Sequence, residues 1–167
     1  MYVGIIVNRS LADTTDSVTG LGDVHALVNA IGEMRHVPHE AGFIAIKVDD
    51  IAEVNARFGF DAGDRVLAES AACLMDCSRG KGRLFRSTGP MFVALFDELG
   101  PEAIDEIASD IERFLGSPVL IGSLEYQPPI RVATLHLDGV DRQPVSILNE
   151  LKARLIEAPQ VPGTKLD

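Results

Sequence analysis

A four-residue turn, Ser87-Thr88-Gly89-Pro90, separates two short apolar stretches at residues 84–86 and 91–96. Glycine followed by proline pins a tight reversal, so the segment predicts an antiparallel hairpin. What flanks that hairpin limits the architecture. Upstream, residues 43–48 form another short apolar run, and residues 63–77 carry apolar side chains at helical spacing, with Leu67, Ala71, Leu74 and Met75 as the stripe. Downstream, Pro101 opens a helix at its first turn. The inward stripe of that helix is Ile104, Ile107, Ala108, Ile111, Phe114 and Leu115. Strands and helices thus alternate around a central hairpin. That order predicts an α+β or α/β sandwich with a mostly antiparallel sheet and helices packed on it.

The remaining elements follow from the same signals. Residues 1–9 read as a short strand and 10–17 as a polar linker. A helix is expected from about Asp23 to Met34, with a break at Pro38. Asp50 is placed to cap a short helix ending near Phe58. Gly59 and Gly63 are expected to bracket a tight loop, and residues 78–82 an exposed one. Residues 118–121 and 130–137 read as strands, interrupted by Pro128-Pro129. A last helix from Pro144 turns Ile147, Leu148, Leu151 and Leu155 inward and ends before Pro159.

The 167 residues suit one domain, and a hydrophobic fraction of 46% supplies one core. Aromatic residues are only 5% and tryptophan is absent, so that core is aliphatic. No apolar run approaches the ~20 residues of a membrane span, and the first residues lack the charge pattern of a signal peptide. These features predict a cytoplasmic protein without membrane insertion. The net charge of −10 opposes phosphate backbones, which argues against nucleic acid as a partner. It leaves room for one mononucleotide in a local pocket. Cys73 and Cys77, four apart on a helix, read as small buried hydrophobes rather than a zinc site, and His25, His36 and His39 lack metal-ligand spacing.

Three segments resemble the GGDEF (diguanylate cyclase) family. Asp16-Ser17-Val18-Thr19-Gly20-Leu21 is similar to the family's DxLTGL opening. The segment from Asn55 to Asp64, NARFGFDAGD, is similar to NDxxGHxxGD, and Arg65-Val66-Leu67 continues it. Arg86-Ser87, the turn, and Phe92-Val93-Ala94-Leu95 sit where the family has RxGGDEF and an apolar strand. The resemblance covers residues 16 to about 157. It implies a palm-like fold with a central five-stranded sheet, and a division into a strand or linker at 1–15 and a degenerate GGDEF domain at 16–167.

The departures are as informative. The signature falls on Thr88-Gly89-Pro90-Met91-Phe92, with Met91 where a Mg²⁺-binding carboxylate belongs. The other metal carboxylate, eight residues before the matched asparagine, is Lys47. Mg²⁺ requires hard oxygen ligands, so the resemblance implies a lost metal site, no cofactor and no cyclase activity. Asp49 alone falls on a family carboxylate position. The RxxD feedback site for cyclic di-GMP keeps Arg79 but has Gly82 in place of the carboxylate, which implies poor binding of that dinucleotide. The phosphate-binding lysine of the last helix falls at about Pro159.

What remains is the pair Asn55 and Asp64, matching the family's guanine contacts. Each has a structural alternative: Asn55 closing a helix end, Asp64 capping the long helix. Lys47 either neutralises phosphates as a point charge or is a solvated lysine at a strand end. Arg86 either reaches a phosphate or serves the surface. The function implied is a non-catalytic module of cyclic di-GMP signalling that binds GTP without needing Mg²⁺. Its implied partners are an EAL-type or sensory domain, or a second copy. The alternatives are an interaction or dimerisation domain that binds no nucleotide, and an active cyclase with a displaced metal site.

Overall fold

The computed structural model describes residues 14–34, 40–78, 80–115, 117–138 and 142–166. The strand expected over 1–9, the break at Pro38, and Arg79, His36 and His39 lie outside these residues. The chain runs α1 (Val24–Met34), β1 (Glu40–Val48), α2 (Ile51–Phe58), α3 (Phe60–Ser78), β2 (Arg83–Arg86) and β3 (Met91–Phe96). It continues through α4 (Pro101–Phe114), β4 (Val119–Ile121), β5 (Leu124–Tyr126), β6 (Ile130–Asp138) and α5 (Pro144–Glu157).

The main sheet has the order β2-β3-β1-β6, antiparallel throughout. β1 is zipped along its length between β3 and β6, with Ile44 opposite both Ala94 and Thr134. Alternate residues of this sheet feed two cores. Ile44, Ile46, Phe92, Phe96 and Val132 face α2, α3 and α4, while Phe43, Ala45, Val93 and Leu135 face α1 and α5. Burying both faces explains the near-continuous apolar runs of β1 and β3. Each fully buried Ile, Leu or Phe contributes about 1.5–3 kcal/mol.

Several expectations are corrected. The central sheet has four strands among the described residues, not five; β4 and β5 form a separate ribbon. β5 went unread because it is three residues long and buries only Tyr126. α3 starts at Phe60, so Gly63 lies inside a helix rather than closing a loop. Asp50 occupies the α2 N-cap position in the left-handed region (φ 65°), and its side chain makes no capping hydrogen bond. Met75 and Phe114 point outward, each about half exposed; Val66 and Cys77 take inward positions on α3. The first helix begins at Val24, one residue later than expected, and Asp23 caps it, its Oδ1 accepting from the N–H groups of His25 (2.9 Å) and Ala26 (3.0 Å).

Arg86 fastens the segment before α1 to the hairpin. Its Nη1 donates to both carboxylate oxygens of Asp16 at 3.2 Å, its Nε donates to the Gly89 carbonyl at 3.0 Å, and its backbone N–H donates to Gly22 O at 2.8 Å. Asp16 Oδ2 also accepts from Thr19 Oγ1 (2.7 Å) and the Thr19 N–H (2.9 Å). Partial burial pushes the Asp16 carboxyl up, but the Thr19 and Arg86 hydrogen bonds and the Arg86 charge together outweigh it and hold the group below the usual aspartate value. A carboxyl depressed in the folded state contributes stability that is present above about pH 4 and fades as pH falls through the folded value. Asp16→Asn is therefore expected to cost about 1–3 kcal/mol at pH 7, because it leaves Arg86 without its carboxylate. In urea unfolding, the gap between Asp16→Asn and the parent should narrow from pH 7 to pH 3. A gap unchanged across that range would exclude the carboxylate as its source.

Candidate functional site

The register of β1 builds the centre of the site. Lys47, one residue before the strand ends, stands opposite Met91 on β3 and opposite Arg131 on β6. Residues directly opposite in a ladder project from the same face, so Lys47, Met91 and Arg131 form one row across the sheet. The two positions that the resemblance assigns to metal carboxylates are therefore neighbours, and they hold an ammonium and a thioether.

Two residues on, Asp49 is buried and both of its carboxylate oxygens are engaged. Oδ1 lies 3.5 Å from Lys47 Nζ, while Oδ2 accepts from Arg131 Nε at 3.1 Å and Gln160 Nε2 at 2.7 Å. Arg131 is fixed further by donating to the carbonyl of Ala158 at 2.9 Å. Mg²⁺ needs several oxygen ligands in near-octahedral array. Here the one carboxylate is already shared among two cations and an amide, Met91 brings no oxygen, and the Lys47 charge would repel the ion. The donor set does not fit the metal. Among the described residues no group of three or more His, Cys, Asp and Glu could hold one.

A cavity of about 400 Å³ opens on this row. Met91, Pro90, Leu155 and Ile156 supply its apolar wall, and Lys47, Arg131 and Lys152 its cations. Arg131, Lys152 and Gln160 escaped the sequence reading. Only strand register puts Arg131 beside Lys47. Lys152 reads as an ordinary polar position of an amphipathic helix, and the lysine expected on this helix was located near Pro159, two turns later.

The guanine candidates lie on helices that cover the opposite face. Asn55, on α2, turns its side chain against Gly63 of α3: a Cβ at Gly63 would overlap Asn55 Oδ1. Gly63 is thus a close-approach glycine within a helix, not a turn glycine. Asn55 Oδ1 is buried without a hydrogen-bond partner among the described residues, a state that ordinarily costs about 1–3 kcal/mol. Its side chain does not close the helix end; the Gly59 N–H bonds to its backbone carbonyl instead, at 2.9 Å. Asp64 is exposed and follows Gly63 directly, inside α3 rather than at its cap.

Of the remaining candidates, Arg86 is engaged within the fold. It is only 16% exposed and is spent on Asp16 and Gly89. Gly82 has φ 71°, and a Cβ there would stand 2.6 Å from the Phe96 ring and 2.7 Å from Leu95 O, so the backbone itself excludes a carboxylate. Cys73 and Cys77 are not joined in a disulfide. Burial, with the neighbouring Cys77 and Asp76, pushes the Cys73 thiol up to about 12, away from nucleophilic use. No described helix is long and apolar enough to cross a membrane.

Residues 14–150 match the profile of the family described as diguanylate cyclase, GGDEF domain. The chain is 29% identical over 119 residues to cyclic di-GMP phosphodiesterase PdeR of Escherichia coli strain K12, covering 70% of this chain and 18% of that protein. It is 27% identical over 84 residues to diguanylate cyclase DgcS of Shewanella oneidensis, covering 48% of this chain and 28% of that one. It therefore spans less than a third of the length of either curated relative. In fold it is similar to diguanylate cyclase SiaD of Pseudomonas aeruginosa, solved with its activator SiaC (TM-score 0.80, 20% identity, 93% of this chain and 63% of that one). It is equally similar to the FimX GGDEF domain of the same organism (TM-score 0.80, 16% identity, 87% and 93%). With most of its length matched to one family profile, and with that family's fold, this chain belongs to the GGDEF domain family.

Proposed function

We propose that this chain is a non-catalytic GGDEF module of cyclic di-GMP signalling that binds GTP as a regulatory ligand. The observation that carries the reading is the state of Asp49, whose carboxylate is shared by Lys47, Arg131 and Gln160 in a row that also contains Met91. Phosphoryl transfer depends on metal ions to neutralise charge at the triphosphate and on a group that activates the attacking hydroxyl. Lys47 can offset phosphate charge, but it cannot take a proton from a hydroxyl while itself an ammonium. The same surroundings therefore favour binding over turnover. The cyclase and phosphodiesterase activities in the names of DgcS and PdeR belong to proteins far longer than this chain. An adjoining EAL-type or sensory domain, or a second copy, is the partner class that such a module would tune.

Base selectivity is assigned to Asn55 and Asp64. Guanine presents adjacent N1–H and N2–H₂ donors that one carboxylate can accept together, and adenine lacks that pair. Asn55 lies against Gly63, immediately before Asp64, with its Oδ1 buried and without a hydrogen-bond partner among the described residues. An interaction domain without nucleotide is the competing reading, and nucleotide binding separates the two.

Incubation with GTP and Mg²⁺ or Mn²⁺, followed by chromatography, is expected to yield no cyclic di-GMP above a blank; product lost on mutating this domain would reverse the assignment. In calorimetry the chain should prefer GTP to ATP, and Asp64→Ala should remove about 1–3 kcal/mol of that preference while the domain stays folded. Equal binding of the two nucleotides by the parent would favour the pure interaction domain. Restoring the feedback carboxylate with Gly82→Asp should not create tight cyclic di-GMP binding. Strain at φ 71° and overlap with Phe96 should instead lower stability by about 1–3 kcal/mol, and a variant as stable as the parent with sub-micromolar affinity would refute this.

A further inference from the structure

Charge is divided unevenly between the two helical layers. On one side of the sheet, α2, α3 and α4 hold ten carboxylates against three arginines; on the other, α1 and α5 hold three carboxylates against two cations. A cavity of about 240 Å³ opens in the acidic layer, between α3 and the connection from α4 to β4. Glu69, Cys73 and Asp76 line it from α3, and Leu115, Pro118 and Val119 line it from the other side. Among the described residues no cation lines it. Glu69, Cys73 and Asp76 follow at steps of four and three residues, so they share one face of the helix. The two carboxylates are two turns apart, roughly 10 Å along the axis. Cys73 Sγ donates to the Phe114 carbonyl at 3.2 Å and ties α3 to the end of α4 beside the cavity. Met75, Phe114 and Leu120 are each about half exposed, and they are the chain neighbours of the lining residues Asp76, Leu115 and Val119.

We propose that this cavity anchors a docking surface for a basic amphipathic helix of a partner protein. The cavity is smaller than the roughly 300–1,000 Å³ of small-molecule sites, so it accommodates a side chain rather than a metabolite. A carboxylate beside an apolar wall suits lysine or arginine, whose aliphatic stem packs on Leu115, Pro118 and Val119 while its charged head meets Glu69 or Asp76. Two carboxylates two turns apart match two cations seven residues apart on a helix lying along α3. Met75, Phe114 and Leu120 offer that helix an apolar counterpart for the face between its cations. The excess of carboxylates on α2, α3 and α4 draws a basic helix toward this side of the sheet before contact. A second copy is the poorer occupant, because two chains of net charge −10 repel. This docking surface supplies the chemistry of the partner class named above and needs no nucleotide.

The test uses the 167-residue chain and a panel of labelled synthetic helices, each with leucines on one face and arginine or lysine at seven-residue spacing beside them. A scrambled peptide of the same composition is the control, and fluorescence anisotropy without nucleotide is the readout. The amphipathic basic helices are expected to bind, more weakly as salt rises, and the scrambled peptide is not. Glu69→Gln and Asp76→Asn should each weaken binding about fivefold, the upper end for one partly exposed charge pair. Glu69→Lys combined with Asp76→Lys should abolish it. Glu102→Gln, which removes the same charge from the far end of α4, should leave it unchanged. Glu69, Asp76 and Glu102 are exposed, so these variants are expected to fold, and circular dichroism checks that they do. Failure of every helix in the panel to bind, equal binding of the scrambled peptide, or an equal loss from Glu102→Gln would overturn the proposal. So would sedimentation showing a dimer of the chain alone that the double lysine variant splits, because the surface would then belong to a second copy. Since nucleotide is absent, failure here leaves the GTP reading untouched, and failure of GTP to bind leaves this surface untouched.

Discussion

The ladder that holds β1 between β3 and β6 is the constraint on which the site depends. Its antiparallel register sets Lys47 against Met91 on one side and Arg131 on the other. A slip of one residue in either pairing would turn this row to the opposite face and bury the Lys47 ammonium among Ile44, Ile46 and Phe92. The cost of an unpaired charge in an aliphatic core is prohibitive. The apolar faces of β1 and the polar end of the same strand therefore specify one pairing between them. The charge geometry at the end of the strand follows from hydrophobic packing along its length.

At the two positions that the resemblance assigns to metal carboxylates, Lys47 and Met91 act as a unit. A lysine alone beside a metal carboxylate would leave that carboxylate facing a cation it could not chelate. A methionine alone would leave the remaining ligand beneath an apolar wall. Together they form a consistent environment: Lys47 and Arg131 balance Asp49, and Met91 packs with the α1 and α5 side of the core. The result is a satisfied polar cluster bordering an apolar wall. The other family-like motif, from Asp16 to Leu21, keeps its architectural work. Its aspartate and threonine organise a turn that Arg86 joins to the hairpin.

Much of the fold could be read from the chain because its signals are local. Pro101 and Pro144 open helices, and the Ser87–Pro90 turn joins β2 to β3. Errors arose where tertiary context decides. Met75 and Phe114 satisfy helical periodicity but sit on the margins of their stripes; on α3 packing selects Val66 and Cys77 instead of Met75. Gly63 reads as a loop breaker, and only contact with Asn55 reveals why a helix tolerates it. The site was legible for Lys47 and Met91, which lie at fixed offsets from recognisable motifs. It was illegible for Arg131, Lys152 and Gln160, which come from distant segments brought together by strand pairing and by the path of the chain after α5.

That path has a mechanical meaning. Beyond α5 the chain turns back along β6. Val161 and Ile130 exchange two backbone hydrogen bonds at 2.8 and 3.1 Å, and the Thr164 N–H donates to Gln127 O at 2.7 Å. Gly163 lies so close to Gln127 and Pro129 that no side chain could be accommodated. The same strap supplies Gln160 to Asp49 and the Ala158 carbonyl to Arg131. A force that peels residues 158–166 away from β6 would thus strip Asp49 of one donor and release Arg131 from one of its anchors. The position of this strap and the hydrogen bonding of Asp49 and Arg131 at the cavity wall are thus tied together.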